Sequence, residues 1–142
     1  MEESVIEFFN DFDFDNMAYF YHITGSGIGE EICENGLLME NKDLISTTIR
    51  IKKDMLIDID NFIINEHGNN IRETNEMVII GCPIEDINHI VEKNEYISVK
   101  WSNEFPPKYI IPSEYIMGYI DMTEDEYYIT KNPNYFENYY SK

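Results

Sequence analysis

Apolar residues fall in short, dense runs along the chain, and turn-forming residues separate these runs. Apolar runs of four to eight residues that are rich in β-branched side chains predict strands, and a spacing of three or four predicts helices. Five or six strands and two or three short helices follow, with the helices concentrated in the first half. The predicted strands cover residues 17–24, 44–49, 76–81, 96–101, 108–111 and a last stretch that ends near 120. This pattern predicts a single α+β domain with a curved or split β-sheet and short helices.

Three segments carry helical signals. Ser4 to Glu7 forms a capping-box pattern that opens a short helix, in which Val5, Phe8 and Phe9 are the apolar positions. Ile28 to Asn35 has apolar residues at helical spacing and ends at Asn35-Gly36, a typical left-handed cap. Residues 52–66 resume the same periodicity. We therefore divide the chain into a helical lead-in (1–18), a core (19–121) and an acidic, tyrosine-rich tail (122–142) that packs on the surface.

Acidic and aromatic residues alternate from Asp11 to Asp15. Such alternation is typical of an edge strand or an extended lead-in, and it would place three carboxylates on one face, where they could attract Ca²⁺. The glycine and the distal glutamate of an EF-hand loop are missing at the required offsets. We therefore assign no metal site to this segment.

The net charge of the chain limits the kinds of partner that it can bind. It has 28 acidic and 10 basic residues, for a formal net charge of −18. Such a chain repels a phosphate backbone, which disfavours direct nucleic-acid binding. The excess acid serves solubility, or it is itself functional and binds a basic partner.

The composition also indicates the compartment of the protein. Cys33 and Cys82 share no short motif, so we interpret both as small buried residues. We find no signal peptide and no apolar run of the roughly 20 residues that a membrane span needs. The expected location is the cytoplasm, without contact to a membrane.

The candidate chemistry lies where the first strand ends. Tyr19 to Ile23 is aromatic or apolar except for His22, and Thr24 and three glycines follow within five residues. The glycines permit a tight turn and a close approach of the backbone, although their spacing is not the dinucleotide-binding fingerprint. Ser46, Thr47 and Thr48 place three hydroxyls in a later strand. The sequence therefore predicts an imidazole and several hydroxyls on neighbouring strands.

The order of these pieces resembles the ADP-ribosyltransferase-like fold. This family includes diphtheria-type toxins, poly-ADP-ribose polymerases, DarT-like DNA transferases and RNA 2′-phosphotransferases. The resemblance covers residues 19–121. It is carried by Tyr21-His22-Ile23-Thr24, by Ile32 with Asn35-Gly36-Leu37, by Ile45-Ser46-Thr47-Thr48, and by the strand units 76–80 and 108–116.

The resemblance implies an NAD site and a transfer of ADP-ribose to a protein or nucleic-acid acceptor. His22 would donate a hydrogen bond to the adenine-side ribose with support from Thr24, and the backbone at Ile23 or Thr24 would hold the nicotinamide amide. Gly25, Ser46 and Thr47 would border the same cleft. One carboxylate would stabilise the oxocarbenium-like centre as nicotinamide leaves.

The carboxylate is where this chain departs from the family pattern. The family's glutamate often begins a late strand of the type Glu-Tyr-aliphatic, and by order of strands that place here holds Lys108. Glu76 and Glu114 are the two leading candidates, and Glu104 ranks behind them. A relative without catalysis is one alternative. The other is an acidic interaction protein, such as an inhibitor or antidote that binds a basic surface.

Overall fold

A computed structural model describes residues 2–39, 48–68, 75–84, 90–93, 96–101 and 108–136. Within these residues, the polypeptide forms one α+β domain with a large antiparallel sheet and few helices. No helix in this part of the chain is both long enough and apolar enough to cross a lipid bilayer.

Ten strands, three α-helices and two short 3₁₀ helices alternate along the described chain. In order they are β1 (Glu2–Ser4), α1 (Val5–Asn10), β2 (Met17–Thr24), α2 (Ile28–Asn35), β3 (Leu37–Met39), β4 (Thr48–Arg50), a 3₁₀ helix (Lys53–Leu56), α3 (Ile59–Gly68), β5 (Glu76–Pro83), β6 (Ile90–Lys93), β7 (Tyr96–Trp101), β8 (Lys108–Ile111), a 3₁₀ helix (Ser113–Tyr115), β9 (Ile116–Asp121) and β10 (Tyr128–Lys131).

The sheet runs in the order β1-β10-β9-β5-β2-β4-β7-β8-β3, and β6 pairs with β7 from outside this path. Every pairing is antiparallel. The pair β2–β5 is continuous from Met17–Pro83 to Thr24–Glu76. Because β2 lies between β4 and β5, the strand that carries His22 is an interior strand of the sheet.

The two faces of the sheet have separate apolar cores because side chains alternate along each strand. On one face, Tyr19, Tyr21, Met77 and Ile79 belong to a cluster that also includes residues of α1 and α3. On the other face, Phe20, Val78 and Ile80 pack beneath α2, whose Ile32 and Cys33 point inward. His22, Thr24 and Glu76 occupy strand positions that continue this α2 face.

The C-terminal part of the chain differs from the expected surface tail. Residues 128–131 form β10, which pairs with β9 on one side and with β1 on the other, so both ends of the chain complete the sheet. Ile129, Met122 and Tyr135 are buried. Residues 128–131 are too few to give a clear strand pattern in the sequence, and their pairing with β1 and β9 makes them a strand.

Asn132 fastens the end of β10 to the preceding elements. Its side chain is 1% exposed, and its amide nitrogen donates to the carbonyl oxygens of Ile116 (2.8 Å) and Ser113 (3.0 Å). Its side-chain oxygen accepts from the Asn134 amide. A buried residue with this many bonds holds the chain after β10 against the start of β9.

Residues 11–15 form turns and irregular structure instead of the expected edge strand or extended lead-in. The carboxylate of Asp13 accepts from the Asp15 amide and from the Asn16 side chain, which closes a local turn. Phe12 stacks on Tyr19 with ring centroids 3.7 Å apart. The alternation therefore separates inward rings from outward acids in a loop. The described residues contain no group of three or more potential ligands arranged to hold a metal ion.

Candidate functional site

The end of β2 brings the candidate histidine between two strands. His22 is the register partner of Thr48 in β4 and of Val78 in β5. Along the same face, Phe20 is fully buried, whereas His22 and Thr24 are half-buried. The α2 face thus changes from closed core to partly open surface at His22. Thr48 is the last of the three predicted hydroxyl residues, and Ser46 and Thr47 lie outside the described residues.

The backbone N–H and C=O groups near the end of β2 each face one of the two neighbouring strands. In an antiparallel strand, the N–H and C=O groups of one residue face the same neighbour and alternate from residue to residue. The Tyr19 carbonyl accepts from Ile51 at 2.8 Å, on the β4 side, and the Thr24 carbonyl accepts from Asn75 at 3.0 Å, on the β5 side. By this alternation, the amide and carbonyl of Ile23 face the β4 side.

The turn after β2 needs glycine at one position. Gly27 has φ = +84° and precedes the first residue of α2, a conformation that side-chain-bearing residues adopt only with strain. The Ile28 amide donates to the Gly25 carbonyl at 3.2 Å. The Asn75 side chain donates to the Ser26 hydroxyl at 3.2 Å, which ties this turn to the start of β5.

Glu76 has a structural role at the N-terminus of α2. Its side chain is 7% exposed, and its Oε1 accepts a hydrogen bond of 2.8 Å from the Gly29 amide. A carboxylate at this place satisfies an N-terminal N–H group and is favoured by the helix dipole. The first turn of α2 also contains Glu30 and Glu31. This N-terminus is therefore surrounded by negative charge, which makes it a poor site for a phosphate group.

Gly29 explains the close approach that the glycine pattern predicted. A Cβ atom at this position would lie 2.7 Å from Cγ of Tyr119 and 2.8 Å from Oε1 of Glu76. Only a residue without a side chain lets α2 come this close to β5 and β9. The groups that approach the Gly29 backbone are therefore the Glu76 carboxylate and the Tyr119 ring.

An acidic cleft of about 720 Å³ lies next to this cap. Glu76, Tyr119 and Asp121 line it together with acidic residues of the β9–β10 hairpin. Glu76 and Asp121 are direct register partners across β5 and β9. Burial raises the pKa of Tyr119, the nearby Glu76 carboxylate adds to the increase, and a hydrogen bond to Thr130 opposes it. Tyr119 is a residue that the sequence analysis did not single out.

The buried thiol beneath α2 is held in its neutral form. Burial raises the pKa of Cys33 to about 12, and the negative charges of Glu30, Glu76 and Glu34 add to this increase. Both Cys33 and Cys82 are buried and reduced. These properties agree with the interpretation of the two cysteines as core residues and make neither a nucleophile at neutral pH.

The second candidate glutamate is located elsewhere. Glu114 is exposed and lies in the 3₁₀ helix Ser113–Tyr115 before β9. That helix leads to Ile116, which pairs with Ile80, whereas Glu76 lies at the other end of β5. Neither Glu114 nor His22 lines the cleft that Glu76 borders. The structure therefore does not bring the two candidate glutamates together. Glu104 lies outside the described residues.

The strand order places Lys108 away from the end of β2. Strand β8, which begins at Lys108, pairs with β7 and β3 and is separated from β2 by two strands. Strand β7 is the direct neighbour of β4, through the pair Ile49–Tyr96. Ile49 in turn pairs with Tyr21, next to His22.

Glu95 is a glutamate that the sequence analysis does not consider. It precedes β7 in the sequence Glu95-Tyr96-Ile97, which has the Glu-Tyr-aliphatic pattern. Glu95 lies outside the described residues, whereas Tyr96 is the first residue of β7. The Glu-Tyr-aliphatic pattern is visible in the sequence, but the pairing of β7 with β4 is not.

No family model, curated protein or solved structure matches the chain.

Proposed function

We propose that the protein is an NAD-binding ADP-ribosyltransferase-like enzyme that transfers ADP-ribose to a macromolecular acceptor. The observation that carries the proposal is the register of β2, in which His22 is paired with the hydroxyl-bearing strand β4 where the α2 face becomes accessible. Two residue types that the resemblance requires are thus brought to neighbouring strands although they are far apart in the sequence.

Each candidate residue at or just after the end of β2 has its own role in the proposed site. His22 donates to the adenine-side ribose, and Thr24, two residues further on the same face, borders the ribose. Ile23 holds the nicotinamide amide with its backbone, because its N–H and C=O groups face β4, whereas the Thr24 carbonyl already accepts from Asn75. Gly25 begins the turn that lets the chain leave the sheet beside the ligand.

We assign the catalytic carboxylate to Glu95 ahead of Glu76 and Glu114. The Oε1 atom of Glu76 is already bonded to the Gly29 amide, and Glu114 is exposed on a 3₁₀ helix. Glu95 precedes Tyr96, which is the register partner of Ile49 in β4. A carboxylate there would stabilise the positive charge that develops on the ribose as the bond to nicotinamide breaks.

The distribution of charge limits where the pyrophosphate can lie. The N-terminus of α2 and the cleft beside Tyr119 are both acidic. Arg50, in contrast, lies over the ring of Phe20 with its guanidinium carbon 6.0 Å from the centroid, two register positions from the His22–Thr48 pair. The pyrophosphate therefore belongs on the β4 side of His22, near this cation.

Calorimetric titration with NAD tests the proposal without knowledge of the acceptor. Wild-type protein binds NAD, and His22→Ala weakens binding by about tenfold or more, as expected for loss of a buried hydrogen bond of about 1.5 kcal/mol. Asn61→Ala is the control, because Asn61 is exposed on α3, a helix that packs on the face of the sheet opposite to His22.

The thermal stability of each variant accompanies the titration. At a concentration of NAD about 100 times Kd, the ligand adds about 2.7 kcal/mol to the free energy of unfolding of the wild type. Failure of NAD, ADP-ribose and nicotinamide to bind folded wild-type protein would refute the proposal. Equal NAD affinity in the folded His22→Ala variant would refute the site.

A further inference from the structure

A groove of about 310 Å³ lies between α1, α3 and the β9–β10 hairpin. Ile6 contributes its wall from α1, Ile64 from α3 and Tyr128 from β10. Neither His22 nor Glu76 lines the groove, so its role goes beyond the proposed NAD chemistry.

The groove gathers an unusual share of the exposed apolar surface. In the part of the chain that the structure describes, six large apolar side chains are exposed, and three of them border this groove. These are Ile6, Ile64 and Tyr128, with exposed fractions of 50%, 54% and 44%. Exposed apolar residues that converge on one concave surface mark an interaction site more often than scattered ones do.

The charged residues that line the groove are all acidic. Asp60, Asp125 and Glu126 border the apolar side chains, and no lysine or arginine is among the described residues that line the groove. The Tyr128 hydroxyl donates to Oε2 of Glu126 at 2.7 Å, so this carboxylate is fixed beside the apolar wall. An occupant must therefore offer apolar groups to the centre and positive charge to the rim.

The charge also excludes two other kinds of occupant. A second copy of this chain would bring two acidic rims together, each on a protein of formal charge −18, and repulsion opposes that contact. A nucleic acid would add phosphates to the same rim. A protein segment with basic residues around aliphatic ones meets neither obstacle.

We propose that this groove binds a basic protein segment, in which one or two aliphatic side chains are flanked by lysine or arginine. The aliphatic side chains pack on Ile6 and Ile64, and the cations pair with Asp60 and Glu126. An amphipathic helix of a partner protein has this arrangement when its apolar stripe is bordered by basic positions.

Fluorescence anisotropy with a synthetic peptide tests the proposal on the full chain. The probe is a labelled helical peptide of about 15 residues with leucine on one face and lysine on the other. Ile64→Ser weakens its binding roughly fivefold to tenfold, as expected for the loss of about half of a buried aliphatic side chain. Ile57→Ser is the matched control, since Ile57 is 86% exposed and lies outside the groove.

The contribution of charge to peptide binding is tested by comparing Asp60→Asn with Asp54→Asn, because Asp60 borders the groove and Asp54 does not. Asp60→Asn weakens binding about threefold, Asp54→Asn leaves it unchanged, and added salt weakens the wild-type complex. Equal effects of Ile64→Ser and Ile57→Ser would show that the peptide binds anywhere on the acidic surface and would overturn the proposal. A wild-type dimer in sedimentation that Ile64→Ser dissociates would assign the groove to a second copy and overturn it as well.

Discussion

Replacement of Glu76 tests its role as the cap of α2. Its Oε1 accepts the Gly29 amide at 2.8 Å in a site where the Glu76 side chain is almost fully buried. Alanine removes both the acceptor and the charge. Glutamine keeps an acceptor oxygen of nearly the same shape and removes only the charge.

The two substitutions therefore differ in the free energy that each should remove. An unsatisfied buried N–H group costs about 1–3 kcal/mol, and loss of a negative charge at a helix N-terminus costs about 0.3–1 kcal/mol. The register partner Asp121 offsets part of the charge effect, because removal of Glu76 relieves a repulsion between two acids. We expect a loss of about 2–3 kcal/mol for Glu76→Ala and below about 1 kcal/mol for Glu76→Gln.

Thermal unfolding measures this difference. For a chain of this size, about 1 kcal/mol corresponds to about 4 °C in Tm, so Glu76→Ala should lower Tm by about 8–12 °C and Glu76→Gln by less than about 4 °C. Glu114→Ala is the control, because Glu114 is exposed and should change stability by less than about 0.5 kcal/mol. If Glu76→Ala and Glu114→Ala have the same Tm, the cap does not stabilise α2.

Three further substitutions test the packing of the fold and the state of its thiols. Gly29→Ala should destabilise the protein by about 1–2 kcal/mol in denaturant titration, because the added methyl group overlaps a tyrosine ring, although alanine favours helix; Gly68→Ala, with open space around it, should not. Asn132→Ala should cost about 2–4 kcal/mol, since two carbonyls lose their donor; an unchanged midpoint would contradict this. Cys33 keeps its proton in the folded state up to a pKa of about 12, so from pH 9 upward the unfolded chain loses protons first and the free energy of unfolding falls. Cys33→Ala should flatten that alkaline decline; parallel profiles for Cys33→Ala and wild type would disprove the assignment.

The elements that the sequence predicted well carry their signals locally. The strand Met17–Thr24 and the helix Ile28–Asn35 have the predicted bounds. Gly36 ends that helix at the expected residue, but its conformation (φ = +84°, ψ = 171°) is not the predicted left-handed cap. Dense apolar residues, helical spacing and glycine act within a few residues of one another, so no knowledge of distant partners is needed. The prediction of one α+β domain is confirmed at this level.

The elements that the sequence misplaced depend on partners far along the chain. Strand β10 is stabilised by β1 and β9, and Glu2 pairs with Thr130 across nearly the whole length of the chain. Strand β10 and the buried Met122 and Tyr135 therefore belong to the folded domain, whereas the sequence analysis assigns residues 122–142 to a surface tail. The acids and rings of residues 11–15 fit a loop because Asp13 satisfies its neighbours' polar groups locally.

The candidate site was predictable in part for the same reason. The pattern around His22 marks the end of a strand, and β4 lies beside that strand with Thr48 opposite His22. The relation of the strands that begin at Tyr96 and Lys108 to β2 was beyond the sequence alone, because only the pairing of β7 with β4 distinguishes their positions. Glu76 is the first residue of β5, which made it a candidate for the catalytic carboxylate. Its bond to Gly29 is a tertiary contact that no local pattern reveals.

Release of nicotinamide from NAD tests the central claim most directly. Wild-type protein, incubated with NAD and with water as the acceptor, should release nicotinamide above the rate of the uncatalysed reaction. Folded His22→Ala and Glu95→Gln should both lose this release by about tenfold or more, and Asn61→Ala should retain it. Absence of release and of NAD binding in the wild type, or full release in folded His22→Ala, would contradict the account.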